Sequence, residues 1–251
     1  MSRAKAQLDK TLAFGEDGVL RMFEMKPVKL LFVIAVLVAV AVAPITAQEL
    51  LTAPRFFDTV AERYASIEDY IAEISMRNGE ERMEGTLSYR RPNLIRIDFS
   101  RPADQVMVSD GETLLVHVPR YNVTLQQDLR RRQESVGGLA TAQGLRLMRA
   151  NYSIAYLEGP TAVPLGEGSN VMVTKLRLDW RSTNEGFRQL ILSVDDNGLI
   201  RRIEGITAGY DEVRFDFRDV RINQSIPATR FDYTPPSSAN RLNNFLFEQE
   251  G

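Results

Sequence analysis

Two periods alternate along this chain. Behind Thr52 and Pro54, the residues Phe56, Phe57, Val60, Ala61 and Tyr64 recur at helical spacing and predict one amphipathic helix. From Tyr70 the period falls to two. Tyr70, Ala72, Ile74 and Met76 alternate with Ile71, Glu73, Ser75 and Arg77, and Met83, Leu87 and Tyr89 alternate with Glu84, Thr86, Ser88 and Arg90. Past Pro92 the same pattern returns at Ile95, Ile97 and Phe99. Val106 to Ser109 then faces Thr113 to Val118 across the hairpin signal Asp110-Gly111, and Val123 to Leu129 predicts a further strand.

Between Arg130 and Asn151 the alternation stops. A basic triplet Arg130-Arg131-Arg132, the pair Gly137-Gly138 and then Leu139, Leu145, Leu147 and Met148 predict one or two short helices. Strand patterning resumes at Ile154 to Leu157 and at Met172, Thr174, Leu176, Leu178 and Trp180. It continues through Phe187 to Val194, Leu199 to Ile206, the residues Val213, Phe215 and Phe217, and finally Phe231 and Tyr233. Turns are marked by Asn184-Glu185-Gly186 and Asp196-Asn197-Gly198. The whole predicts about ten or eleven antiparallel strands with one apolar face, and only a few helices to hide it. So few helices cannot cover so wide a sheet. The expected fold is therefore mainly β with an α lid, an open half-barrel around an apolar cavity.

Candidate lining residues of that cavity are Leu87, Tyr89, Ile95, Ile97 and Phe99 in the first half of the sheet. Leu176, Leu178, Trp180, Phe215 and Phe217 supply the second half, and Leu139, Leu145, Leu147 and Met148 the lid. Arg91 is the exception on this face, because strand parity puts it with Leu87 and Tyr89 while Arg90 points to water. A guanidinium beside an apolar space needs acceptors, and the free carbonyls at a lid helix C-terminus would serve. By pattern alone Arg91 is either such a latch or a strand-end arginine reaching outward past Pro92.

Composition narrows the function classes. The chain has 251 residues, no cysteine and one histidine, His117, so thiol chemistry, disulfides and most histidine-based catalysis or metal binding fall away. His117 sits inside a strand and reads as structural. Asp195-Asp196 adjoins a turn, Gly166-Glu167-Gly168 is no phosphate loop, and no hydrolase or metalloprotease motif occurs; no catalytic residue, metal site or cofactor is expected. Leu30 to Ala43 is an apolar run of fourteen residues behind Lys26 and Lys29, shorter than the ~20 that span a membrane. It reads as a signal peptide over residues 1–47, cleaved after Ala47, with 1–24 an over-extended start; a retained anchor is the alternative. The 204 residues after Ala47 carry 25 Lys+Arg against 29 Asp+Glu, so bulk charge does not favour nucleic acid. Residues 48–236 form one domain, and 237–251 a polar tail with an apolar island at Leu242, Phe245, Leu246 and Phe247.

Several motifs occur together in order: Gly85-Thr86-Leu87-Ser88-Tyr89-Arg90-Arg91-Pro92-Asn93, Ser100-Arg101-Pro102, Val108-Ser109-Asp110-Gly111-Glu112-Thr113-Leu114, Val194-Asp195-Asp196-Asn197-Gly198-Leu199-Ile200 and Phe231-Asp232-Tyr233-Thr234-Pro235-Pro236. From about Leu50 to Pro236 this resembles the periplasmic lipoprotein carrier proteins, the LolA family. The resemblance implies a half-barrel whose lid covers a cavity for the acyl chains of lipoproteins. It also implies two partners, an inner-membrane lipoprotein-releasing ABC transporter and a delivery receptor at the outer membrane. In the family the arginine of the Arg-Pro-Asn motif ties lid to sheet, which maps onto Arg91, with Pro92 and Asn93 beside it. The absence of cysteine argues for a soluble periplasmic carrier rather than a receptor that is itself a lipoprotein. A glycolipid or hydrophobic-ligand carrier, or a sensor of stressed lipoprotein traffic, is the alternative on the same scaffold. The chain departs from the family pattern between Glu158 and Asn170 and after Pro236.

Overall fold

A computed structural model describes residues 51–129, 140–183 and 185–243. The leader, Leu139, the basic triplet and Phe245 to Phe247 lie outside the described residues.

Pro54 sits in the first turn of α1 (Ala53–Ala65), where a missing N–H costs no hydrogen bond. Ala53, Phe57, Val60 and Tyr64 are buried on one face, and the Ser66 N–H closes the last turn on Glu62 and Arg63. The strands that follow are β1 (Asp69–Asn78), β2 (Glu81–Arg90), β3 (Leu94–Arg101), β4 (Val106–Ser109), β5 (Thr113–Val118) and β6 (Val123–Asp128). The helix α2 (Ala142–Asn151) precedes β7 (Tyr152–Tyr156), β8 (Val163–Pro164), β9 (Met172–Trp180), β10 (Phe187–Val194), β11 (Ile200–Thr207), β12 (Glu212–Ile222) and β13 (Asn240–Asn243). Thr141 caps α2 by accepting from the Gly144 N–H at 3.1 Å.

The strands form one sheet in the order β13-β6-β5-β4-β3-β2-β1-β12-β11-β10-β9-β7, with β8 beside β9. The sheet is open, and all neighbours are antiparallel except β13, which runs parallel to β6. Among the described residues there are thirteen strands, more than the expected ten or eleven. The surplus is β8, two residues inside the segment between Glu158 and Asn170 that departs from the family pattern, and β13, which has no apolar alternation to announce it. Phe231 and Tyr233 are not a strand either. They belong to a 3₁₀ turn (Ala228–Phe231) and to a strap over residues 223–239, because the prolines at 227, 235 and 236 withhold the ladder donors a strand needs.

Cross-strand register lays apolar rows across one face of the sheet. Leu242, Leu125, Val116, Met107, Ile97, Leu87 and Ala72 are successive partners. On the other side of β1, and four residues further along it, Met76, Phe215, Ile203, Leu192, Leu176 and Tyr156 are successive partners in a second row of the same face. Both helices pack on this face. Phe57 and Leu145 share one core with Leu176, Leu192 and Ile203, all essentially inaccessible, and the Arg149–Asp58 pair at 2.7 Å ties α2 to α1.

The strap crosses the opposite face. Both carboxylate oxygens of Asp69 accept from its backbone, Gln224 N at 2.6 Å and Ile226 N at 3.2 Å, and Arg90 donates to the Ile226 carbonyl at 2.6 Å. Further along, Asp98 pairs with Arg96 and with Arg230, and the Arg96 guanidinium lies 5.6 Å from the Tyr233 ring centre. The Asn122 side chain donates to the Ser238 carbonyl at 2.8 Å, which delivers β13 to the edge of β6.

Candidate functional site: the apolar face and its arginine tie

All ten residues expected to line a cavity lie on the helix-covered face, packed in or against one core. Leu87, Tyr89, Ile95, Ile97 and Phe99 are buried, as are Leu176, Leu178 and Phe217. Phe215 is half-buried on β12. Trp180 is half-buried too, and takes the Arg188 guanidinium 4.8 Å above its ring. Of the lid residues, Leu145 and Met148 face the sheet, whereas Leu147 sits off the buried stripe Ala142–Leu145–Met148 of α2.

Cover is uneven along the first row. Exposure is 0% at Ala72, 6% at Leu87 and 5% at Ile97, but Met107, Val116 and Leu125 are only half-buried and Leu242 is 53% exposed. Val116 and Leu125 fall outside the core that α1 and α2 complete. The helices therefore cover the β1–β3 and β9–β12 part of the face, and the row runs on past them as an apolar shelf on β5 and β6. A cavity of about 590 Å³ also opens at the N-terminal half of α1, between Phe56, Thr59 and Val60 and the strands β9 to β11, with Asp195, Asp196 and Arg201 on its rim.

Arg91 does not face the apolar space. The strand β2 ends at Arg90, so alternation no longer sets its side, and its side chain is 45% exposed. It is nevertheless fully engaged at the helix end. Nη1 donates to the Ala65 carbonyl at 3.0 Å, Nη2 to Glu68 Oε1 at 2.5 Å, and its backbone N–H to the Glu68 carbonyl at 2.8 Å. Ala65 closes α1, so its carbonyl is one of the acceptors a helix leaves unpaired. Pro92 accepts from the Tyr89 hydroxyl at 3.2 Å. Asn93 packs against Gly111, where φ is +89° and any Cβ would meet the Asn93 side chain at 2.5 Å, so the β4–β5 turn needs glycine there.

Three buried tyrosines connect these parts. Tyr64 on α1 meets Tyr70 edge-on at 6.4 Å between ring centres, and Tyr70 lies 5.2 Å from Tyr89. Their hydroxyls bond Ile200 N at 3.0 Å, the Ala140 carbonyl at 3.0 Å and the Pro92 carbonyl. Burial pushes all three phenols above the ordinary tyrosine range. His117 is buried, with Nδ1 3.1 Å from Thr124 Oγ1 and its ring against Tyr233, and Asp195 Oδ1 accepts from Asn197 N and Leu199 N as a turn residue does. Alternation did not reveal the Asp98, Arg96 and Arg230 cluster under the strap. Arg96 and Asp98 share a face by parity, but Arg230 arrives from a distant segment.

An open antiparallel sheet, apolar on one face and capped by two helices on part of it, defines a half-barrel of the lipoprotein-carrier type. Residues 75–234 match the family described as outer membrane lipoprotein carrier protein LolA, and the chain belongs to that family. It is 24% identical over 168 residues to the outer-membrane lipoprotein carrier protein of Albidiferax ferrireducens, covering 62% of this chain and 71% of that one. To its counterpart in Methylibium petroleiphilum it is 27% identical over 164 residues, covering 62% and 70%. Among solved structures, an uncharacterized conserved protein from Thermus thermophilus shares the fold with a TM-score of 0.50 at 12% identity, over 74% of this chain and 98% of that one. No helix among the described residues is long and apolar enough to cross a membrane.

Proposed function

We propose that this protein is a periplasmic carrier, exported by the leader and cleaved after Ala47, that shields the acyl chains of lipoproteins and moves them from the inner to the outer membrane. It would receive them from an ABC transporter and hand them to an acceptor at the outer membrane, with no catalytic step. The observation that supports this is the falling cover along the apolar row, from Leu87 under the helices to Val116 and Leu125 beyond them. At ~0.8 kcal/mol per methylene, one long acyl chain costs about 10 kcal/mol or more to expose to water, so acylated protein needs an escort across an aqueous compartment. An open sheet can give that shelter reversibly. Arg91, bonded to the end of α1, acts as a latch that favours the closed, empty form and so lowers net affinity enough for cargo to be passed on.

Mass spectrometry of material co-purified with the full protein in mild detergent tests this. Acylated polypeptide in the bound fraction is the expected result. Free lipid or glycolipid without polypeptide would replace the lipoprotein carrier with a hydrophobic-ligand carrier, and neither would end the proposal.

A further inference from the structure

The face opposite the helices carries a row of like charges. Arg82 on β2 is the register partner of Arg77 on β1, and Arg77 is in turn the partner of Arg214 on β12, so three guanidiniums stand side by side across three adjacent strands. Direct like-charge partners on a sheet repel, and an isolated row of this kind is unfavourable. The surroundings relieve it only in part. Arg82 pairs with Glu84, while the single Asp216 carboxylate serves both Arg214, at 2.8 Å, and Arg202, at 2.6 Å. Arg77 has no acidic partner among the described residues.

The row is not a flat patch. The hairpin tip between β8 and β9 curls against it, with Arg202 donating to the Leu165 carbonyl at 3.1 Å, and encloses a cavity of about 350 Å³. Arg77, Arg82, Arg202, Arg214 and Arg218 line it with the hydroxyls of Ser75 and Ser169, against Asp216 as the acid. Leu165 and Ser169 bring to its wall the segment 158–170, where this chain departs from its family's pattern.

We propose that this cavity binds a phosphoryl group. Guanidiniums in excess of the one carboxylate that lines the same concave space, with two serines beside them, suit a tetrahedral oxyanion, which can accept from many donors at once. The site lies on the face away from the helices and does not rest on the carrier reading. A phosphate diester on an anionic lipid headgroup and free inorganic phosphate share the required chemistry.

Calorimetric titration of the full protein with inorganic phosphate, and co-sedimentation with phosphatidylglycerol or phosphatidylcholine vesicles, test the proposal beside the double variant Arg77→Gln/Arg214→Gln. Arg77→Gln removes a charge without an acidic partner among the described residues, and Arg214→Gln leaves Asp216 paired with Arg202, while thermal unfolding followed by circular dichroism checks that the variant folds as the parent does. Saturable binding of phosphate, weakened about tenfold or more in the variant, is expected for a phosphate site. Sedimentation with phosphatidylglycerol but not phosphatidylcholine, lost in the variant, identifies the lipid headgroup as the source. The proposal is overturned if neither probe binds, if binding is unchanged in the variant, if chloride at equal ionic strength reproduces the effect, or if an oligoglutamate peptide binds more tightly than either phosphate probe.

Discussion

Arg91 Nη1 lies 3.0 Å from the Ala65 carbonyl oxygen and joins the turn after β2 to the last residue of α1. Because Arg91 and Glu68 are 45% and 63% exposed, this tie adds only ~0–1 kcal/mol to the fold. Its effect should therefore appear in cargo handling. Arg91→Leu is expected to unfold within a few degrees of the parent yet to retain bound lipoprotein several-fold longer, measured as the rate of cargo transfer to acceptor vesicles. Release as fast as the parent's would remove the latch.

Shelf and core should separate by mutation. Leu192 is fully buried, and Leu192→Ala should cost ~2–5 kcal/mol in urea unfolding through the cavity it leaves. Val116→Ser and Leu125→Ser, at half-buried positions beyond the helices, should cost about 1 kcal/mol or less but weaken binding of a fluorescent fatty acid several-fold. Unchanged probe affinity in both serine variants would place the guest elsewhere.

Alkali should unfold the protein through its tyrosines. Desolvation raises the phenol pKa of Tyr64, Tyr70 and Tyr89, so the folded state favours their neutral form. The stability they lend is complete below the ordinary tyrosine pKa, about 10, and is lost as pH climbs through the folded values. Phenolate absorbance should rise together with loss of circular dichroism rather than before it. Tyr64→Phe, which strands the Ile200 N–H, should cost ~1–3 kcal/mol at neutral pH.

The strap should respond to acid. Burial alone would lift the Asp98 pKa, but hydrogen bonds and charge from Arg96 and Arg230 outweigh it and hold the carboxyl below the ordinary carboxylate range. A depressed pKa lends stability above the unfolded value, about 4, and that stability is lost as pH falls through the folded one. Asp98→Asn should accordingly speed limited proteolysis within 223–239 at neutral pH, read by mass spectrometry of the fragments. Equal cleavage in parent and variant would show that Asp98 does not hold the strap.

Much of this architecture was legible in advance wherever a residue's fate depends on near neighbours. Tyr70, Ala72 and Ile74 point inward as their alternation requires, Asp110-Gly111 turns β4 into β5, and Pro54 opens α1. Legibility ended where alternation does. Arg91 lies one residue past β2, so parity assigned it to a face it does not occupy, and the 3₁₀ turn at Ala228–Phe231 carries aromatics spaced like those of a strand.

By itself the amino-acid sequence determined most of the segments that become strands or helices and which side of each is apolar, since those follow from periodicity and turn chemistry over a handful of residues. Tertiary structure alone decided how much of the apolar row is covered, that Ala65 is the acceptor for Arg91, that Asn240–Asn243 completes the sheet at β6, and that Arg77 meets Arg214. Each of these depends on register between strands far apart in the chain. A shift of one residue in the β1–β12 pairing would leave every local pattern intact and dissolve the arginine row.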